Sequence, residues 1–600
     1  MLVQRTLFAP PNDLEPAELY ATTERGVAVA ERGRVTVAPH ALVSTNTYFG
    51  RFPASYWQRW TPVGRVRVEA RAHGTGRVRL MASDTAGDAR PVDGVRVSGA
   101  VAEPIGLHAT LNRFTDGGAL WLEADTEAAE LTVGDVRWEV NDRARERPAA
   151  VVICTYNRAD DCVATLTTLA ADVECMAGLD TVYVVDQGSD PVSSRTGFDA
   201  VKQALGGKLR YLRQPNLGGA GGFTRGLYEA TSGAAENWPY LVLMDDDIAL
   251  EPDTVPRMIA FAARTEHPAI VGGQMLQQLH PHRLHVSAER ADLPHLRAGR
   301  PVPGAVHDAD LTSTSLDTRV NAEYNAWWSC LIPPDIVREI GYPLPLFFQW
   351  DDIEYGLRAR AAGYPTVTLP GAGVWHADFA WKDWDDWPRY FSLRNALIVS
   401  AVHSDFNVRQ ATKFLLAEFG RYLVSMRYGL ARTLLMAVED FLRGPQILAD
   451  GGAQAAAAVR KARAHHPETV VHPAHGAPDL PVSYPAPTPS MPRLVLLKRA
   501  AWQMLGVARG QATIAAKHNH WWHVSLFDTA VVTDPSQEGV RFRHRNPALL
   551  RDLAWRGVRV LSEFSRRAPR VGRLYRAAMP ELTSRRNWAR LFGADSRAHL

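Results

Sequence analysis

The sequence predicts an α/β chain. A mostly parallel sheet covered by helices stands between an all-β region and a helical one. Three observations predict this. Between residues 148 and 247, apolar runs that end in polar residues (AAVVICTYN, TVYVVDQGS, LRYLRQPN, YLVLMDDD) alternate with helical segments such as DDCVATLTTLAA. Such runs suit strands buried on both faces, and strand–helix alternation implies a parallel sheet. Before residue 148, short stretches alternate apolar and polar side chains; beyond about 400, the apolar spacing becomes helical.

Taken in order, residues 1–147 are expected to form a β-sandwich or barrel. RVRVEARAHG (65–74) and RVRLMAS (77–83) read as two strands separated by a glycine-rich break. Trp57, Trp60, Trp121 and Trp138 are either core residues or a carbohydrate-facing surface. Residues 148–400 hold the parallel-sheet domain, whose ligands are expected outside the carboxyl ends of its strands. Residues 401–600 form the helical region. Within it, a stretch rich in Ala, His and Pro (about 450–492) reads as an extended connection, and the basic part comes last.

Six hundred residues are too many for one core, and 46% apolar with 22% charged residues is ordinary for a globular chain. Four cysteines without CxxC spacing argue against a thiolate zinc site and against a secreted disulfide framework. The first twenty residues lack a basic segment followed by an apolar run, so no signal peptide is expected. The longest membrane-span candidate, 414–442, is interrupted by Glu418, Arg421, Arg427, Arg432 and Glu439. A cytoplasmic protein without its own anchor follows. The net charge of +3 hides an asymmetry: residues 491–600 carry 20 Lys+Arg against 7 Asp+Glu, leaving 47 against 57 elsewhere. The tail is either a solvated helical face or a surface for an anionic partner such as membrane, nucleic acid or a phosphorylated substrate.

The chemistry is expected at the strand ends. On an extended segment Asp245 and Asp247 share a face and Asp246 points away. Two carboxylates there suit a hard divalent cation that also holds phosphate oxygens. Thr155, Asn157, Arg158, Asp186 and Gln187 end the first two strands; the polar ones can read a base and ribose, and Arg158 can pair with a phosphate. NLGGAGGFTRG (216–226) is a glycine-rich turn opening a helix, where backbone can approach an anion. Asp351 and Asp352 precede a helix; one can cap it while the other accepts a proton from an incoming hydroxyl. His376, at the end of VTLPGAGVWH, is a candidate third metal ligand.

The order ICTYNR, VVDQGS, QPNLGGAGGFTRG, LMDDD, WWSC, WDDIEYGLRARAAGY and VWH resembles family 2 glycosyltransferases of the GT-A fold, over residues 148–400. The Trp327–Trp328 pair, the WDD form, the flanking regions and the length narrow this to a resemblance to the bifunctional UDP-galactofuranosyltransferases that polymerise mycobacterial and corynebacterial cell-wall galactan. The resemblance implies that Asp245, Asp247 and His376 bind Mn²⁺ or Mg²⁺ with the UDP diphosphate. It implies that Arg158, Gln187, Asn216 and Asp245 contact the nucleotide sugar, and that Asp352 is the base with Asp351 beside it. Trp327, Trp328 and Glu289 would line the acceptor side, Trp328 stacking on a sugar ring. The transfer implied is inverting, from UDP-galactofuranose to a polyprenyl-diphosphate-linked galactan of alternating β-1,5 and β-1,6 linkages, in arabinogalactan synthesis. The implied setting is the inner face of the plasma membrane, in peripheral contact with anionic lipid, as a homo-oligomer such as a tetramer.

Two rival readings share the fold. One is a different family 2 enzyme, such as a rhamnosyltransferase; the other is a non-catalytic carbohydrate-binding protein, which would have no need of Asp245, Asp247, Asp352 and His376 together. Nucleic acid is not an expected partner, since no aromatic–basic recognition motif accompanies the tail's charge.

Overall fold

The computed structural model describes residues 1–12, 15–141, 147–507 and 509–593. Residues 142–146, just before the expected boundary at 147/148, and the last residues of the basic tail, 594–600, lie outside the described residues.

The N-terminal region is a nine-stranded sheet. Its centre is one strand of 18 residues, Arg65–Ala82, paired on one edge with Arg90–Thr110 and on the other with Leu120–Asp125 and Leu131–Glu139. Val66, Val68, Ala70, Ala72, Val78 and Leu80 point into the core, as period-two alternation requires. The two expected strands are therefore one. The intervening glycine is a bulge and not a turn: Gly74 has φ +103°, the register shifts beside it, and a Cβ there would meet the Glu130 carbonyl oxygen at 2.2 Å. Trp57, Trp121 and Trp138 are buried, and Phe52 stacks on both Trp57 and Trp138. These tryptophans are core, which removes them from a carbohydrate-facing surface. The region is fastened to the central sheet by buried ion pairs. Arg5 reaches Asp253 at 2.6 Å and Asp172 at 2.9 Å, and Arg32 reaches Glu251 at 2.7 Å.

The central sheet has ten strands. All four apolar runs form strands, Leu209–Arg213, Leu179–Asp186, Ala149–Thr155 and Tyr240–Asp245, adjacent in that order and parallel. Chain order reverses between the last two, which creates a crevice at their carboxyl ends. Beyond this point the sheet is mixed. Ser329–Ile332 runs antiparallel to Tyr240–Asp245 and to Ile270–Gln277, and Thr366–His376 runs parallel to Ile270–Gln277.

Helix Pro388–His403, which crosses the expected boundary at 400, and helices Val408–Val424, Tyr428–Arg443 and the 36-residue Pro547–Leu582 of the C-terminal region share one apolar core. Leu344, Leu346, Phe347 and Trp350 of the central region enter the same core. Two local readings change. Ala453–Arg463 is a helix inside the expected extended connection; its alanines are strong helix formers, and Ala456 and Val459 are buried. Residues 511–544 contribute a three-stranded sheet, Gln511–Ile514, Thr529–Thr533 and Val540–His544. TAVVT and VRFRH are short β-rich runs joined by the turn sequence DPSQEG, and the long helices around them mask that signal.

Candidate active site

One face of the site grows from the crevice between the parallel strands. Asp245 closes its strand, and Asp246 and Asp247 continue in a bend. Asp246 turns inward and is buried, which pushes its carboxyl up to about 7. Asp245 and Asp247 face His376, the last residue of Thr366–His376. His376 Nε2 lies 3.7 Å from Asp245 Oδ2 and 3.6 Å from Asp247 Oδ1. Its Nδ1 stands 2.9 Å from the Ala377 carbonyl oxygen. A proton on Nδ1 satisfies that bond and leaves the Nε2 lone pair toward the acids. Burial also lowers the imidazole pKa, keeping it neutral. A hard divalent ion binds oxygen at about 2.1 Å, so its ligands stand roughly 3–4.2 Å apart. The two imidazole–carboxylate separations fall in that span, and the donor set is of the right kind. Among the described residues these three are the group placed to hold a metal ion. Arg158 pairs with the far oxygen of Asp247.

The opposite face is built differently. Phe347, Gln349 and Trp350 all have positive φ, 71°, 62° and 71°. Non-glycine residues avoid this region unless their surroundings impose it. Here the imposition is visible. The buried Asn395 amide donates to the carbonyls of Leu346, Phe348 and Gln349 at 3.1, 2.9 and 2.8 Å, and the buried Arg394 donates to Leu346 O at 2.8 Å. The clamped loop delivers Asp351 and Asp352 as the first two residues of helix Asp351–Ala361. The N-cap is Trp350, so neither aspartate caps this helix, contrary to the alternative left open by the sequence. Asp352 Oδ1 accepts the Ile353 backbone N–H at 2.8 Å. Burial, with the neighbouring acids, raises both carboxyls; that of Asp352 reaches about 7, and Asp351 is well above the carboxylate range.

Both faces open on one cavity of about 620 Å³. Asp245, Glu289, Trp327, Trp328, Asp351, Asp352 and His376 line it. Glu289 comes from Glu289–Asp292; burial raises its carboxyl to about 7. Trp328 donates its indole N–H to Gly273 O at 2.9 Å and lies near His376, while Trp327 packs edge-on against Phe223. Arg158, Gln187, Asn216 and Asp247 are not among the residues that line the cavity. Gln187 holds the glycine-rich turn, donating to Gly218 O at 2.9 Å and accepting from Leu217 N at 2.9 Å, and Asn216 accepts from Gly218 N at 2.8 Å.

The glycines of that turn mostly serve packing. A Cβ at Gly218 would strike Phe347 O at 1.8 Å, at Gly222 Cys154 Sγ at 2.0 Å, and at Gly226 Val152 Cγ1 at 2.2 Å. Of the turn's glycines, Gly219 lines the cavity. Sequence reasoning missed Lys382 and His285, which also line it. Burial lowers the Lys382 ammonium pKa while Asp245 raises it, and burial carries the His285 imidazole down to about 4. Lys382 follows His376 by six residues, a spacing that carries no motif. Asn395 was equally silent, since it sits mid-helix in an apolar run.

Comparison with known proteins agrees along nearly the whole chain. Residues 3–141 match the family model "Galactofuranosyltransferase 2 N-terminal", residues 147–395 match "Glycosyltransferase like family 2", and residues 411–594 match "Galactofuranosyltransferase-2, domain 3". Galactofuranosyltransferase GlfT2 of Mycolicibacterium smegmatis is 35% identical, covering 98% of this chain and 95% of that one; its namesake in Mycobacterium tuberculosis is 34% identical, covering 98% and 96%. A solved structure, GalNAc-T7 with UDP, GalNAc and Mn²⁺, is similar at 14% identity and a TM-score of 0.35, over 47% of this chain and 52% of that one. With all three segments matched in order, and relatives covered from end to end, the chain belongs to the galactofuranosyltransferase GlfT2 family.

Proposed function

We propose that the cleft transfers galactofuranose from UDP-galactofuranose to a hydroxyl of a growing, polyprenyl-diphosphate-linked galactan, with inversion at the anomeric carbon. The observation that carries this reading is the single cavity with the Asp351–Asp352 pair on one wall and, on the other, Asp245 and His376 of the Asp245–Asp247–His376 group. Direct displacement needs those two faces. Asp352 accepts the proton of the acceptor hydroxyl at a carboxylate oxygen. A base whose pKa lies near neutrality is matched to that task and contributes about 10²–10⁴-fold. Burial and the neighbouring Asp352 raise the Asp351 carboxyl well above the carboxylate range, which disfavours a second negative charge on that wall. Asp245, Asp247 and His376 would hold Mn²⁺ or Mg²⁺, which when bound supplies Lewis-acid stabilisation of the departing diphosphate.

Arg158, Gln187 and Asn216, with Asp245, are assigned to the nucleotide sugar, the middle two by shaping the turn at the head of its helix. Trp327, Trp328 and Glu289 are assigned to the acceptor. The division 1–147, 148–400 and 401–600 remains our working domain scheme. Among the described residues no helix is long and apolar enough to cross a membrane. Helix Pro547–Leu582 exposes Trp555, Val558 and Leu574 among exposed Arg566, Arg567, Arg570 and Arg573. This mixed face supports peripheral contact with anionic lipid on the cytoplasmic side, or a homo-oligomer contact.

The test is incubation with UDP-galactofuranose and a short galactofuranosyl lipid, wild type beside Asp352→Ala. Metal-dependent elongation by the wild type, lost in a variant that still binds UDP, is expected. Transfer from dTDP-rhamnose instead, or full elongation by Asp352→Ala, overturns the reading.

A further inference from the structure

A second cavity, of about 300 Å³, adjoins the first and shares Trp384, Arg389 and Glu418 with it. Its far wall is made by the small sheet of the C-terminal region, through Thr533, Arg541 and Arg543, and by Asn519 and Arg427. Four arginines and four carboxylates face it, and their pairing is uneven. Asp383 is taken by Arg541. Asp385 is held by Arg463 at 3.2 Å. Glu418 is taken by Arg421, and stands 3.9 Å from Arg389. Asp534 accepts from its own turn, at Ser536 N and at Gly539 N.

Arg427 and Arg543 are left over. Both donate to one neutral oxygen, Asn519 Oδ1, at 2.8 and 2.9 Å. Arg427 has a carboxylate no nearer than Asp385 at 3.9 Å. The buried Nε atoms of both have no hydrogen-bond partner. Arg543 is 1% exposed. Burial first, then the neighbouring Arg427, push its guanidinium down to about 9 against the opposing pull of Asp385 and Asp383. Two guanidinium groups that converge on a roomy cavity with donors to spare form an arrangement suited to phosphate oxygens.

We propose that Arg427 and Arg543 form an anion site for a diphosphate group, and that the group it takes is the diphosphate of a short acceptor, whose sugar end reaches the adjoining catalytic cavity. The second half of this rests on the reading given under Proposed function; the first half does not.

The experiment separates them. Binding of inorganic pyrophosphate to the full chain is measured by calorimetry in EDTA, so that the Asp245–Asp247–His376 group carries no ion. Wild type is expected to bind, and Arg427→Gln, at a partly exposed position, to bind at least tenfold more weakly. Arg543→Lys serves as a second variant that keeps the charge and loses the fork. Elongation kinetics then compare a prenyl-diphosphate-linked digalactofuranoside with its octyl glycoside. Arg427→Gln is expected to raise KM for the diphosphate acceptor about tenfold, with kcat and the octyl acceptor unchanged. No pyrophosphate binding by wild type, or equal binding by Arg427→Gln, overturns the anion site. Binding lost in the variant with both acceptors affected alike overturns the acceptor assignment and leaves a free phosphate or diphosphate as the occupant. Absence of any galactofuranosyl transfer by wild type sinks the functional reading without touching the calorimetric result.

Discussion

The two walls of the catalytic cavity use the same chemical group, a carboxylate, and hold it by opposite means. On the wall of Asp245 and His376, Asp245 ends a parallel strand, and its position is set by strand register against Ala149–Thr155. On the opposite wall, Asp351 and Asp352 depend on a loop with three positive-φ residues, held by Asn395 from helix Pro388–His403. The first wall is set by strand register. The second is tertiary strain. It follows that the first should tolerate changes in the helical region and the second should not.

Substitutions can break this comparison, and the largest effect is expected at Asp352, the proposed base. Asp352→Asn should reduce kcat by about 10²–10⁴-fold while UDP binding persists, since general-base catalysis is worth that much. Next comes the opposite wall. His376→Ala, or chelation of the wild type, should abolish turnover at ordinary metal concentrations; for the variant, excess Mn²⁺ should restore part of it, read as a raised metal requirement at unchanged acceptor KM.

Asn395→Leu sharpens the contrast. It removes the clamp without touching the cavity, and a misplacement of about 1 Å costs roughly 10²-fold. The expected result is a large fall in kcat with wild-type Mn²⁺ affinity. An equal loss of metal affinity would mean that the walls are not independent.

The pH dependence is milder. Asp351 and Asp352 titrate as a pair, with the Asp352 carboxyl near 7. The base must be deprotonated, so kcat/KM should fall up to tenfold per unit as pH drops below about 7. Stability should move the other way. These carboxyls, with Glu289, have folded pKa values raised above 3.8 and 4.5. Between those values and about 7 the folded state holds more protons than the unfolded one, so the metal-free protein should lose stability as pH rises through that window. Urea unfolding at pH 5 and 7.5 reads this directly.

The smallest effect tests packing at the head of the first wall. Gly222→Ala places a methyl on Cys154 Sγ, and overpacking of this kind costs about 1–3 kcal/mol. Thermal unfolding should register it with little change in metal binding.

What the sequence determined by itself is the chemistry whose signals are local. Four apolar runs ending in polar residues announced the parallel strands, and Asp245, Asp247 and His376 stood at strand ends, where period and register place them. The WDD segment announced its helix. Tertiary structure alone decided that Glu289 and the tryptophan pair share a cavity with Asp352, because they arrive from three separate segments: a two-stranded sheet, the stretch before Ser329–Ile332, and helix Asp351–Ala361. It also decided that the glycine break at Gly74 is a bulge, that Gln187 braces a turn, and that Asn395 holds the loop before Asp351 and Asp352. Each of these outcomes depends on what lies across a packed interface. Local periodicity carries no record of that, because packing is a relation between residues far apart in the chain.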